Sequence, residues 1–435
     1  MDSKSGAPSP IESVSGIEQP ARDSPMEWSW LRKHTILVQA AFHAAGPGLT
    51  SSLLIPATEQ LAEQTISVQP ASGHIWPPTS FPREHAAILC CRSGGGFAHG
   101  YGTLMTARIF QSIGISTGFV IPGIIVVDLF RTEERGSKNG VWAQMVSMGA
   151  PLGGLIGGPI VSYLGWQWVM WIISIICGAQ LLAFILTCPE TSYLHRQQSG
   201  FGAYRASELF RLQKRIPGRL GCVTFAITSP GIATILPIAL GKFYEFNSIA
   251  QGLFFLGPLV GILLAERLAG PGSDWAMGRE RRQAANEGRQ ERPEFRLWVG
   301  LPGYAMSIVG VIIFGVTLQA RVHWIAPCIG FGISNFGLQL VTTPLKTYCV
   351  DCYASHSGSV LQMINAVRQI ISFTVPFWSP ILNESLGYGS GFGIEAAILA
   401  AFYILSLLVL WRGASWRQSV RIRGLIKTGE ELLEP

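Results

Sequence analysis

Apolar residues run in long blocks along this chain, and short polar stretches separate them. A helix needs about 20 mostly apolar residues to cross a bilayer. Ten blocks meet that need: 35–57, 104–128, 139–162, 166–187, 220–243, 249–269, 297–319, 324–348, 358–382 and 391–411. The first is the most diluted, by His43 and several Gly, Ser and Thr. The pattern predicts an all-α, multi-pass membrane protein.

Basic residues concentrate in alternate connections. Segment 188–219 carries Arg196, Arg205, Arg211, Lys214, Arg215 and Arg219, and segment 270–296 carries Arg279, Arg281, Arg282, Arg289, Arg292 and Arg296. The connections near 163–165, 244–248 and 383–390 carry no Lys or Arg. Cytoplasmic loops hold the excess of Lys and Arg, so both termini are expected in the cytoplasm, in agreement with an even number of spans. The expected domains follow. Residues 1–33 form a polar tail, disordered by composition, and 34–187 a front bundle of four spans. Residues 188–219 form a central cytoplasmic loop, 220–411 a six-helix back bundle, and 412–435 a cytoplasmic tail. Two bundles joined by a linker is a common transporter plan.

Segment 65–100 breaks the pattern. It has no long apolar run, and Pro77, Pro78 and Pro82 would break a helix there. The first apolar block would serve as its own insertion signal, because the polar N-terminus does not read as a signal peptide.

Composition narrows the function. Charged residues make up 13% of the chain, against about 25% in soluble domains. The 50 glycines and 26 prolines fit closely packed membrane helices. The net charge of +6 resides in the loops, so no nucleic-acid partner is expected. Of eight cysteines, Cys349 and Cys352 form a lone CxxC, a weak metal or redox signal. The sequence has no GxxxxGK[ST] loop, HExxH or GxSxG. No catalytic residue, cofactor or metal is therefore expected. Energy would come from an ion gradient or from the substrate's own gradient.

Polar residues inside apolar blocks are the candidate functional groups. Arg108 and Gln111 share a helix face; Arg108 either faces a water-filled pathway or snorkels to the interface. Asp128 opens a mixed-charge helix end, Asp128 to Gly136, which reads as a gate or as a solvated loop. Arg368 lies about ten residues into its block, roughly 15 Å deep at 1.5 Å per residue. Gln362 and Asn365 share its side, so Arg368 reads as a functional-site cation or as a structural one satisfied by carbonyls of other helices. Asn335, Gln339 and Glu395 are further polar groups in spans, and Trp142, Tyr244, Phe254, Phe255 and Phe336 are candidate cavity aromatics. Gly149, Gly153 and Gly157 repeat at four, as do Gly154 and Gly158, with Pro151 among them and Pro159 directly after. That spacing lays two glycine grooves along one helix, suited to close packing.

Together these motifs resemble a fungal member of the major facilitator superfamily, in the branch of 12-spanner drug:proton antiporters. Arg108 to Gly114 is similar to its fourth-span motif RxxQGxG, with Ser112 in place of glycine. The groove at 149–158 is similar to the fifth-span antiporter motif, with Gly153-Gly154 where the family has a GP pair. Pro189-Glu190-Thr191 resembles the PET after the sixth span. Asp274, Arg281, Arg282 and the run from Pro293 to Leu297 resemble the loop after the eighth. Tyr348 to Tyr353 and Asn365 to Gln369 resemble the tenth and eleventh spans. The likeness covers about 34–64 and 101–425. Segment 65–100 departs from it, lacking the GxxxDRxGRRP loop that joins the second and third spans. About ten spans of an expected twelve are recognisable.

The resemblance implies a two-bundle transporter that exports hydrophobic or amphiphilic small molecules (drugs, toxins or secondary metabolites) in exchange for protons. It places Arg108, Gln111 and Asp128 in proton coupling. Trp142, Asn335, Gln339, Gln362, Asn365 and Arg368 would line the cavity. Gly149, Pro151, Gly153, Gly157 and Gly158 would pack helices. It also implies a monomer, in the plasma membrane, with the bilayer, the substrate and protons as partners. Two other readings stay open: a non-transporting membrane protein, either sensor or decayed copy, and an intramembrane enzyme, disfavoured because no catalytic cluster is evident.

Overall fold

In the computed structural model, residues 29–53, 55–57, 135–187, 219–289, 292–352, 357–404 and 407 are described. The expected span 104–128, segment 65–100, and Arg108, Gln111 and Asp128 lie outside these residues. Among the described residues every regular element is helical. The helices are α1 (Trp30–Ser52), α2 (Arg135–Leu164), α3 (Trp166–Thr187), α4 (Arg219–Tyr244), α5 (Ser248–Phe254) and α6 (Leu256–Glu287). They continue with α7 (Leu301–Gln319), α8 (Ile325–Cys352), α9 (Ser357–Leu386) and α10 (Tyr388–Ile404). Short 3-10 turns cover Ile55–Ala57 and Pro293–Gly300. Four described stretches are long and apolar enough to span a bilayer: Gly140–Leu164, Ser248–Glu287, Pro293–Gln319 and Ile325–Cys349.

Among the boundaries that differ from the sequence expectation, two bear on the site. The helix expected to end at 269 continues to Glu287. Ala, Met, Arg, Glu and Gln are strong helix formers; they occupy every position of 276–285 except Gly278, and Ala276, Met277 and Ala284 are buried. The span expected from 297 begins instead as a 3-10 turn, and α7 opens at Leu301 with proline in its first turn. Proline suits that position because its missing N–H would have no helical partner there anyway.

The glycine repeats of α2 set its neighbours. A Cβ on Gly149, Gly153 or Gly157 would lie under 3.0 Å from the backbone oxygen of Ala45, Leu49 or Leu53, respectively. Each pair is 104 residues apart, and so is the hydrogen-bonded pair Lys138–His34 (3.0 Å). A constant offset means that α1 and α2 run parallel and in register, backbone against backbone.

The other row meets the back half of the chain. A Cβ on Gly158 would strike the Ser248 carbonyl, one on Gly154 the Phe255 ring, and one on Gly140 the Glu266 carboxylate. Numbers rise on one partner as they fall on the other, so α2 runs antiparallel to α5 and α6. Helix α2 thus holds a front-half helix in one groove and a back-half pair in the other.

Glycine contacts also seat α8, through Gly257 and Gly261 of α6 near Cys328 and Gly332, and Gly303 and Gly310 of α7 near Gly337 and Ser334. Small residues allow such approach, and dispersion then holds helices that lipid would otherwise solvate. A core of Ile232, Leu236, Phe254, Phe314, Phe331 and Phe392 ties α4, α5, α7, α8 and α10 together. A smaller one joins Leu53, Val161, Trp166 and Ile173.

Helix α6 ends at Gly288, which has φ +62° and open space where a Cβ would lie. Gly278, inside the helix, also has open space around it. The two glycines should therefore respond oppositely to alanine. Gly288→Ala should destabilise by about 1 kcal/mol, through left-handed strain alone. Gly278→Ala should stabilise by about 0.8–1 kcal/mol, because alanine is the better helix former. Melting temperatures of the two purified variants check the pair, and shifts of the same sign would refute it.

Candidate functional site

The most polar interior site sits where α2 meets α6 and α8. Glu266 is buried in the middle of α6, on the face that also buries Gly261, Ala265 and Ala269. Its Oε2 accepts hydrogen bonds from Gln339 Nε2 (2.6 Å) and Thr343 Oγ1 (2.8 Å), four residues apart on α8. Its Oε1 points at Gly140 of α2, where any side chain would displace it. One turn beyond Thr343, the Lys346 ammonium lies 4.7 Å from the ring centre of Trp142. Both residues are buried. A cation over an indole face is attracted by the ring quadrupole. One α8 face thus presents an amide, a hydroxyl and an ammonium to a carboxylate on α6 and an indole on α2.

Glu266 Oε1 and Gln339 Oε1 are buried without a hydrogen-bond partner among the described residues. A second buried carboxylate, Glu395 of α10, accepts from Ser379 Oγ of α9 at 2.8 Å and faces Gly231 of α4.

The structure brings two of the six expected cavity residues, Trp142 and Gln339, into this cluster. Asn335 is one turn from Gln339 and donates to the Phe331 carbonyl of its own helix (3.0 Å). Asn365 is buried and Arg368 half-buried on α9, which packs against α8. Gln362 occupies the same helix. The other expected aromatics are committed elsewhere. Phe254 and Phe255 belong to the core, Phe336 packs beside Ala265 and Leu340, and the Tyr244 hydroxyl donates to Val322 O (2.7 Å).

The basic segment after α6 is an ordered polar clasp. Buried Arg296 donates to Ser273 Oγ (3.1 Å) and Asp274 Oδ1 (3.0 Å). Glu280 lies about 36 Å along α6 at 1.5 Å per residue, past the apolar stretch. It pairs with Arg289 and accepts from the Arg292 N–H (3.2 Å). The Arg289 guanidinium holds the Glu280 carboxyl below the usual carboxylate range. Arg281 is half-buried and Arg282 exposed. Among the described residues, no three His, Cys, Asp or Glu gather to hold a metal ion.

Comparison with known proteins bears on this arrangement. The sequence profile of the Major Facilitator Superfamily matches residues 86–376. The chain is 26% identical over 360 residues to a protein of Aspergillus flavus named "Probable efflux pump mfs2", covering 76% of this chain and 83% of that one. It is 24% identical over 445 residues to an uncharacterized transporter of Schizosaccharomyces pombe, covering 90% of each. Among solved structures, the proton:xylose symporter XylE superposes with a TM-score of 0.61 at 11% identity. That likeness covers 88% of this chain and 96% of the symporter, and it shows the fold.

Proposed function

Because the chain belongs to the Major Facilitator Superfamily, a family of membrane transporters, we propose that it exports hydrophobic or amphiphilic small molecules by alternating access, driven by protons. The observation that carries this reading is the double groove of α2, which fixes α1 on one side and α5 and α6 on the other. Two halves that meet along close-packed backbone can rock about that seam as bodies. The site they open to alternate sides lies near mid-membrane.

Export is favoured by the name of the Aspergillus flavus relative. The basic loops favour cytoplasmic termini, and the plasma membrane is the proposed location. Trp142, Asn335, Gln339, Gln362, Asn365 and Arg368 contribute the cavity wall, with Arg368 its cation. Arg108, Gln111 and Asp128 serve proton coupling, and Asp274, Arg281 and Arg282 the cytoplasmic clasp. The protein acts as a monomer.

The test is reconstitution of the full chain in vesicles under an imposed pH gradient, with ethidium as probe. Wild type should accumulate ethidium against its gradient. Arg368→Ala should lower the initial rate about tenfold, the effect of losing about 1.4 kcal/mol from the limiting step. If wild type binds ethidium but moves none, the chain is a non-transporting membrane protein. Full-rate transport by Arg368→Ala would remove that residue from the cavity wall.

A further inference from the structure

Two orphaned oxygens sit on adjacent head groups at the seam between the halves. Gln339 Nε2 donates to Glu266 Oε2 at 2.6 Å, so the amide and the carboxyl are direct neighbours. The remaining oxygen of each, Glu266 Oε1 and Gln339 Oε1, is buried and has no hydrogen-bond partner among the described residues. Both are acceptors when Glu266 is ionised, and neither can then satisfy the other. A buried acceptor left alone is costly, and a buried unpaired charge more so. One proton on Oε1 removes both costs, because the new O–H donates to the Gln339 oxygen and the two groups close into an acid–amide pair.

The surroundings favour that assignment. Gly140 backs the carboxyl without offering a side chain. The charged groups on the elements packed against α6 are few. From α8 comes Lys346, whose ammonium rests on Trp142 and whose charge also reaches the Glu266 carboxyl, so it works against the proton. From α2 comes Lys138, which bonds His34 of α1. From the 3-10 turn come Glu294 and Arg296, the latter paired with Asp274. On α6 itself the adjacent Arg267 is exposed.

We propose that Glu266 is an exchangeable proton site of the transport cycle, protonated and paired with Gln339 while the α2–α6 seam is closed. Losing the proton puts a bare carboxylate against the α2 backbone. It then needs water or the Lys346 ammonium, and either loosens the contact between the halves. A proton bound at Oε1 reseals it. Only a proton moves, from water to Oε1 and back. This inference rests on the proton-driven reading above and adds to Arg108, Gln111 and Asp128 a coupling group in the back half of the chain.

The first experiment needs no transport. Infrared spectra of the full chain in lipid nanodiscs at neutral pH should show a protonated carboxylic C=O band that Glu266→Gln removes. Gln339→Leu should keep the band but move it to higher frequency, since the O–H loses its acceptor. This second variant guards against a glutamine variant that fails to fold. Identical bands in wild type and Glu266→Gln, or no shift in Gln339→Leu, would overturn the proposal.

The second experiment uses vesicles and ethidium. Glu266→Gln should lose at least tenfold of pH-driven ethidium accumulation, and the residual flux should no longer vary with the imposed pH gradient. Accumulation at the wild-type rate would overturn the coupling role. If wild type moves no ethidium at all, the export reading fails, and the infrared band alone decides the protonation of Glu266.

Discussion

Gly153→Leu should abolish recovery of folded protein. The Cβ alone would meet the Leu49 carbonyl oxygen under 3.0 Å, and the next positions in the row, Gly149 and Gly157, meet Ala45 and Leu53 in the same way. Overpacking a core usually costs about 1–3 kcal/mol, because side chains rearrange. Here the obstacle is main chain inside a helix, so α1 must move as a unit and the contact opens along its length. Native stability is about 5–15 kcal/mol, so a loss of that scale removes most of it. Gly154→Leu should do less harm, since it strikes the Phe255 ring, which can turn. Size-exclusion profiles and melting temperatures of detergent-extracted variants test this ranking. A sharp, wild-type-like peak for Gly153→Leu, or equal damage from both variants, would count against a rigid α1–α2 contact.

Arg296→Ala should be the most damaging single change in the polar clasp. The guanidinium is 2% exposed and joins the turn before α7 to α6 through Ser273 and Asp274. Removing one partner of a buried ion pair costs about 3–5 kcal/mol. The lower end is expected here, because Asp274 keeps 22% of its side-chain surface and water can reach it. Arg296→Lys should recover little, because an ammonium cannot reproduce the planar fork. Melting temperatures of the three proteins give the order, and an Arg296→Ala variant as stable as wild type would show that the clasp contributes nothing.

The glycine rows of α2 were legible because a period of four is written directly in the sequence. Their occupants were not, since nothing in residues 149–158 names α1 or α6. The chemistry was less visible. Glu266 falls three residues from the expected end of its span and was not among the candidate residues. The helix in fact runs on to Glu287 and buries it. Gly261, Ala265 and Ala269, spaced at four around it, were the available sign of a packed face rather than a lipid-facing one. Lys346, two residues before the expected end of its span, was not among the candidate residues. Only the fold shows it lying on Trp142, from a helix 204 positions distant in sequence. Gln339 was recognised as polar and intramembrane, but its partner was not, because hydrogen bonds between helices leave no local pattern.

The fixed offset between α1 and α2 also sets a timetable for biosynthesis. Residues that touch are 104 positions apart, and a ribosome adds about 5–20 residues per second. Helix α1 therefore waits about 5–20 s for the glycine face that will cover it. During that interval the glycine partners Ala45, Leu49 and Leu53 lack the face that covers them in the folded chain. Slowing translation between α1 and α2 lengthens that exposure directly, so synonymous codon choice in the intervening message becomes a determinant of yield.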